Sequence, residues 1–208
     1  MTTKIPCCPY NGRDCLANYS AAAVPAEFAD DLNQLGLEQV DLMLLHWPCK
    51  TLDETVATYK QMEAMLAQKK ARAIGVSNFG ADFMKRFLAS DIKVRPAVNQ
   101  CGYSIGAHNS SNAGRNDATR EYCQSQGVAY QAYSPLGGLS GVDVLGDKDV
   151  NTIASAHKVS AAQVALRWVA QQGALFVTAG SKSEYLQEDL DIFGFELSAA
   201  EMELLSSK

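Results

Sequence analysis

Val40-Asp41-Leu42-Met43-Leu44-Leu45 leads directly into His46-Trp47-Pro48. A run this apolar suits a strand covered on both faces, as the strands of parallel sheets are. The histidine and tryptophan that follow fall at its carboxyl end, where parallel βα proteins gather their functional groups. Shorter runs of the same kind occur at Ala73-Ile74-Gly75-Val76, Ala97-Val98, Val128-Ala129-Tyr130-Gln131-Ala132-Tyr133 and Ala174-Leu175-Phe176-Val177, and Thr2–Ile5 makes a sixth.

Helical signals fill the intervals. Pro25 suits a first turn, Phe28, Leu32 and Leu35 recur at helical spacing, and Gly36 supplies the stop. Thr51 with Glu54, Ser160 with Gln163, and Ser198 with Glu201 read as capping boxes ahead of apolar faces. Phe83, Met84, Phe87 and Leu88 line a further face. Successive strand starts lie roughly 20 to 45 residues apart, enough for a strand, a helix and two loops. That spacing excludes a β-meander and a helical bundle. A doubly wound sheet and a (β/α) barrel remain, and the lack of Gly-x-Gly-x-x-Gly after the first strand disfavours a dinucleotide-binding open sheet.

The 208 residues are 47% hydrophobic and 20% charged with a formal net charge of −5. A chain of that size can bury a core without staples, and its acidic balance argues against a nucleic-acid partner. It has no apolar run of about 18 residues, so no membrane span is expected. The start, Met1 to Pro6, does not read as a signal peptide, and a cytoplasmic location is expected. Six cysteines lack metal-ligand spacing and are expected as reduced, mostly buried thiols, Cys7 and Cys8 included. His108 and His157 are expected at the surface. The Ser-, Asn- and Gly-rich stretch 102–116 is read as a substrate-side loop or a connector.

The strand tips form an unusually polar series: Lys4, then His46 and Trp47, Ser77 and Asn78, Asn99 and Gln100, Tyr133 and Ser134. Singly, each has an ordinary structural explanation. In order, they carry a resemblance. Leu35-Gly36-Leu37-Glu38-Gln39-Val40-Asp41-Leu42-Met43-Leu44-Leu45-His46-Trp47-Pro48, Ile74-Gly75-Val76-Ser77-Asn78-Phe79, Val98-Asn99-Gln100, Ala132-Tyr133-Ser134-Pro135-Leu136-Gly137 and Asp189-Leu190-Asp191-Ile192-Phe193-Gly194-Phe195-Glu196-Leu197-Ser198 resemble segments of the aldo-keto reductases, in family order.

The resemblance implies one domain over 1–208, an incomplete (β/α) barrel of about six of the eight parallel βα units. It further implies a nicotinamide cofactor, NADPH in preference to NADH, and a small aldehyde or ketone as substrate. By position, His46 would orient the carbonyl and Lys4 would match the lysine that tunes the acid tyrosine. Ser77, Asn78 and Gln100 would hydrogen-bond the nicotinamide amide, and Tyr133 would stack on its ring. Ser134, Leu136 and the glycine loop would follow the pyrophosphate, with Ser181 and Lys182 near the adenine-ribose phosphate. Ala179 and Tyr185 stand where the family commonly has basic residues, which leaves NADH, or no cofactor, as alternatives.

The aspartate and acid tyrosine of the family tetrad have no counterpart, so low activity is expected. Tyr10, Asp14 and Tyr19 lie in the loop after the Lys4 strand, and Tyr10 and Tyr19 are read as packing it rather than replacing that acid. Six strands would leave open edges, for which a protein partner is expected. The alternatives are a catalytically inactive subunit of a larger complex and a nucleotide-binding module.

Overall fold

The structure is a computed structural model and describes residues 1–7, 20–110 and 112–208. The strands are β1 (Thr2–Ile5), β2 (Val40–Leu45), β3 (Ala71–Ser77), β4 (Val98–Gly102), β5 (Ala129–Tyr133) and β6 (Leu175–Val177). The helices are α1 (Val24–Leu35), α2 (Leu52–Ala67), α3 (Ala81–Leu88), α4 (Asp117–Ser125), α5 (Lys148–His157), α6 (Ala161–Gln171), α7 (Ser183–Leu190) and α8 (Ala199–Ser206). The sheet order is β1-β2-β3-β4-β5-β6, the sequential order of a (β/α) barrel. The pairs β1–β2, β2–β3, β3–β4 and β5–β6 are parallel. The expected α/β class and parallel order are therefore present. By contact, the chain divides into two compact units: Met1–Gln100 with Tyr122–Ala129, and Cys101–Glu121 with Tyr130–Lys208.

All three capping boxes form, on α2, α6 and α8. Gly36 ends α1 in the left-handed conformation at φ 65°, which an L side chain rarely adopts. One strand differs from expectation. The sequence marks only Ala97-Val98 as apolar, yet β4 runs to Gly102 with all five residues buried. Its polar members are satisfied internally, so burial there follows hydrogen bonding instead of hydropathy.

In the first unit the buried rings of Tyr59 on α2 and of Phe79 meet Phe87 of α3 edge to face at 5.1–5.2 Å. Gly75 sits where β2, β3 and β4 are closest. A Cβ there would lie 2.6 Å from the Val98 carbonyl oxygen. The thiol expectation is corrected at two positions. Register pairs Ile5 with Leu45, which brings the segments beyond them together, and Cys7 and Cys49 form a disulfide with their Cα atoms 5.1 Å apart. Cys101 and Cys123 are buried thiols outside any disulfide, as expected, while Cys8 and Cys15 lie outside the described residues.

The second unit is organised around Trp168, fully buried on α6 and stacked on Tyr103 at 5.3 Å. The expected surface position of His108 is corrected. It is 1% exposed, lies 5.1 Å from the Trp168 ring, and its Nδ1 meets Asp117 Oδ2 at 3.0 Å. Tyr103 donates its hydroxyl to Asp117, and Arg120 Nε donates to Tyr103 at 3.1 Å. His157 is also partly buried, 2.9 Å from Glu201 Oε1. Both histidines found carboxylates that local sequence does not reveal.

Burial alone would raise the Asp117 carboxyl, but hydrogen bonds from Tyr103 and His108, with the Arg120 charge, hold it below the usual carboxylate range. A depressed folded value means the cluster's contribution is present above the unfolded carboxylate range and is lost as pH falls through the folded one. Asp117 is partly exposed, so solvent screens the effect. Urea unfolding between about pH 6 and pH 3 is expected to show a smaller acid loss in Asp117→Asn than in the parent. Equal losses would remove Asp117 from the account.

Candidate active site

Five predicted residues are brought together in the first unit. Lys4 leaves β1 and donates from Nζ to Gln100 Oε1 at 2.6 Å. The Gln100 carbonyl accepts from Ser77 Oγ at 2.8 Å and from the Asn78 backbone N–H at 2.9 Å. Asn78 Nδ2 donates to the His46 carbonyl at 2.9 Å and to Ser77 Oγ at 3.0 Å. His46 takes its own backbone N–H to the Ile5 carbonyl at 2.9 Å, and its ring lies beside Trp47. The tips of four strands thus form one hydrogen-bonded chain in which Ser77, Asn78 and Gln100 are buried.

Two features make the arrangement rigid. Asn78, the first residue past β3, has φ 65°, a left-handed turn that aims its amide back at the strand ends. Asn99 then clamps the outgoing chain, its Nδ2 donating to the Phe79 carbonyl at 2.8 Å and its Oδ1 accepting from the Phe79 N–H at 3.4 Å. Asn99 is therefore structural, while its neighbour Gln100 reaches Lys4.

In the second unit Tyr133 ends β5, and Ser134 follows at φ 53°. Both line a cavity of about 300 Å³, walled also by Tyr103, Ser104, Asn109, Ser110, Arg115, Ser140 and Val142. Arg115, which sequence reasoning did not single out, donates from Nη2 to the Tyr133 hydroxyl at 2.9 Å, with its guanidinium 5.7 Å from the ring centre. Burial pushes the Tyr133 phenol up, and Arg115 opposes that shift. Much of the stretch 102–110, with Arg115, thus walls this cavity. Leu136 lies half-buried beyond β5, while Ser181 and Lys182 precede α7, the ammonium of Lys182 resting 5.2 Å from the Tyr185 ring centre. Tyr10, Asp14 and Tyr19 fall outside the described residues.

The model of the aldo/keto reductase family matches residues 2–208, and the chain belongs to that family. Glyoxal reductase of Bacillus subtilis (strain 168) is 35% identical over 88% of this chain and 61% of its own length. Morphine 6-dehydrogenase of Pseudomonas putida is 35% identical over 97% of this chain and 66% of its own. The chain thus spans less than two thirds of these relatives.

Among solved structures, an aldo-keto reductase enzyme from a Medee basin deep-sea metagenome library superposes with a TM-score of 0.84 at 27% identity, over 99% of this chain and 69% of that one. A Bombyx mori aldo-keto reductase in complex with NADP gives 0.82 at 25% identity, over 99% of this chain and 66% of that one.

Proposed function

We propose that this chain carries the cofactor-holding and carbonyl-orienting part of an NADP(H)-dependent reductase of small aldehydes or ketones. The observation that supports it most is the Lys4–Gln100–Ser77–Asn78–His46 chain. Buried amides held in place by backbone and hydroxyl partners suit a planar carboxamide, which needs donors and acceptors fixed in advance. A nicotinamide, when bound, supplies hydride to a carbonyl carbon. Ser77, Asn78 and Gln100 would hold its amide, and Tyr133 would offer a ring face. Ser134 and Leu136 would follow the diphosphate.

His46, anchored through both its backbone N–H and its carbonyl, would donate to the carbonyl oxygen as negative charge develops there. Lys4 fixes the Gln100 amide and brings a positive charge to the same strand tips. Ser181 and Lys182 would meet the phosphate that distinguishes NADPH from NADH, a modest preference because Lys182 alone of the two is charged.

We place the protein in the cytoplasm, where burial of the Cys7–Cys49 bridge limits access by thiols. No described helix is long and apolar enough to cross a membrane. Leu175 and Val177 are exposed on β6, the last strand of the order, which supports a polypeptide partner on that edge.

The test follows protein fluorescence during titration with NADPH and NADH. NADPH is expected to quench, and Tyr133→Ala and Gln100→Ala are each expected to weaken that response about tenfold or more. A response unchanged in both variants, or none in the parent, would overturn the reading.

A further inference from the structure

Arg115 is built into the same wall as Tyr133. Its Nη2 donates to the Tyr133 hydroxyl at 2.9 Å, which sets the guanidinium at the hydroxyl end of that ring, 5.7 Å from its centre. Gly102, the last residue of β4, lies against both. A Cβ there would stand 3.1 Å from Arg115 Nε and 3.2 Å from Tyr133 Cε2, so a missing side chain is what lets arm and ring lie together. The Nε itself is buried, which packs the arm into the wall instead of leaving it in water.

The charge on that arm is not offset locally. Arg115 makes no ion pair with a described carboxylate, and it is the one charged side chain among the described residues lining the cavity. A partly desolvated cation without a counter-charge imposes its field on whatever rests against the ring that holds it.

Resting on the reductase reading, in which Tyr133 offers its face to a nicotinamide, we infer that Arg115 makes the site prefer the reduced cofactor to the oxidised one. The oxidised nicotinamide carries a positive charge and the reduced ring carries none, so the guanidinium repels only the first. NADP⁺ and NADPH share every phosphate and ribose. Any attraction of Arg115 for the diphosphate therefore strengthens both alike and cancels in the ratio of their affinities. That ratio isolates a charge beside the nicotinamide from a general anion contact or a merely structural role.

The test is calorimetric titration of the 208-residue chain with NADPH and with NADP⁺, in the parent and in three variants. Arg115→Met and Arg115→Gln, both neutral, are each expected to lower the NADPH-over-NADP⁺ affinity ratio by about threefold or more. Arg115→Lys keeps the charge and is expected to keep the parent ratio. A misfolded fraction removes binding sites for both nucleotides equally, so the ratio stays readable where a variant is less stable.

An equal ratio in the parent and the two neutral variants overturns the inference. So does an Arg115→Lys ratio that falls as far as that of Arg115→Met. Tight binding of both nucleotides with an unmoved ratio sinks this inference alone, whereas a parent that binds neither nucleotide sinks the reductase reading and the inference with it.

Discussion

A polypeptide of these 208 residues is expected to reduce aldehydes with NADPH about 10²–10⁴-fold more slowly than a full-length family member, the usual loss when a general acid is missing. A carbonyl oxygen that receives hydride needs a proton, and the donor must reach it within hydrogen-bond distance. Four of the six described tyrosines are otherwise engaged. Tyr59 is buried against Phe87, and burial drives its phenol far up. Tyr103 is tied to Asp117 and Arg120, Tyr130 donates to the Gly114 carbonyl at 2.8 Å, and Tyr133 is held by Arg115. In the proposed reading His46 orients the carbonyl, which fills only one of the roles that the family resemblance implies.

Steady-state NADPH oxidation with a panel of small aldehydes, set beside nucleotide titration, separates the outcomes. Tight NADPH binding with background turnover is the expected result and describes a nucleotide-binding unit awaiting an acid. Turnover within about tenfold of a full-length relative would refute the expectation. Tyr10→Phe and Tyr19→Phe would then show which hydroxyl supplies the proton.

The strand tips are legible because parallel strands announce themselves as apolar runs, so the residue where a run stops lies at the carboxyl edge of the sheet. Lys4, His46, Ser77 and Tyr133 were found in that way. Gln100 sits inside β4, whose polar last residues hid how far the strand runs, although the short run Ala97-Val98 already places Asn99 and Gln100 at its tip. Arg115 left no signal at all. It lies in a stretch without periodicity, and its value comes from a contact across 18 residues with Tyr133.

His108 was misjudged for the same reason. Its partner Asp117 is nine residues away in a helix it does not belong to, and its burial is imposed by Trp168. The Cys7–Cys49 bridge depends on strand register, which no local pattern specifies. Local chemistry therefore located the tips, and long-range packing decided what surrounds them.

Trp168→Ala is expected to destabilise the protein by about 3–5 kcal/mol, as removal of a fully buried aromatic does where neighbours cannot collapse into the space. Those neighbours are constrained. Tyr103 stacks on the indole at an interplanar angle of 16° while its hydroxyl is held by Asp117 and Arg120, so it cannot follow a receding partner without breaking those bonds. His108 is tied to Asp117 in the same way. On its other side the indole Nε1 donates to Ser206 Oγ at 3.0 Å, which also accepts from Gln172 Nε2, so the mutation loosens α8 from α6 as well.

Trp168→Phe separates the two contributions, keeping most of the packing and losing the N–H. Its cost is expected at about 1–1.5 kcal/mol. Urea unfolding followed by far-ultraviolet dichroism measures both, and a loss below about 1 kcal/mol in the alanine variant would contradict the packing described. One buried ring thus supports both the core of the second unit and the docking of α8 on α6.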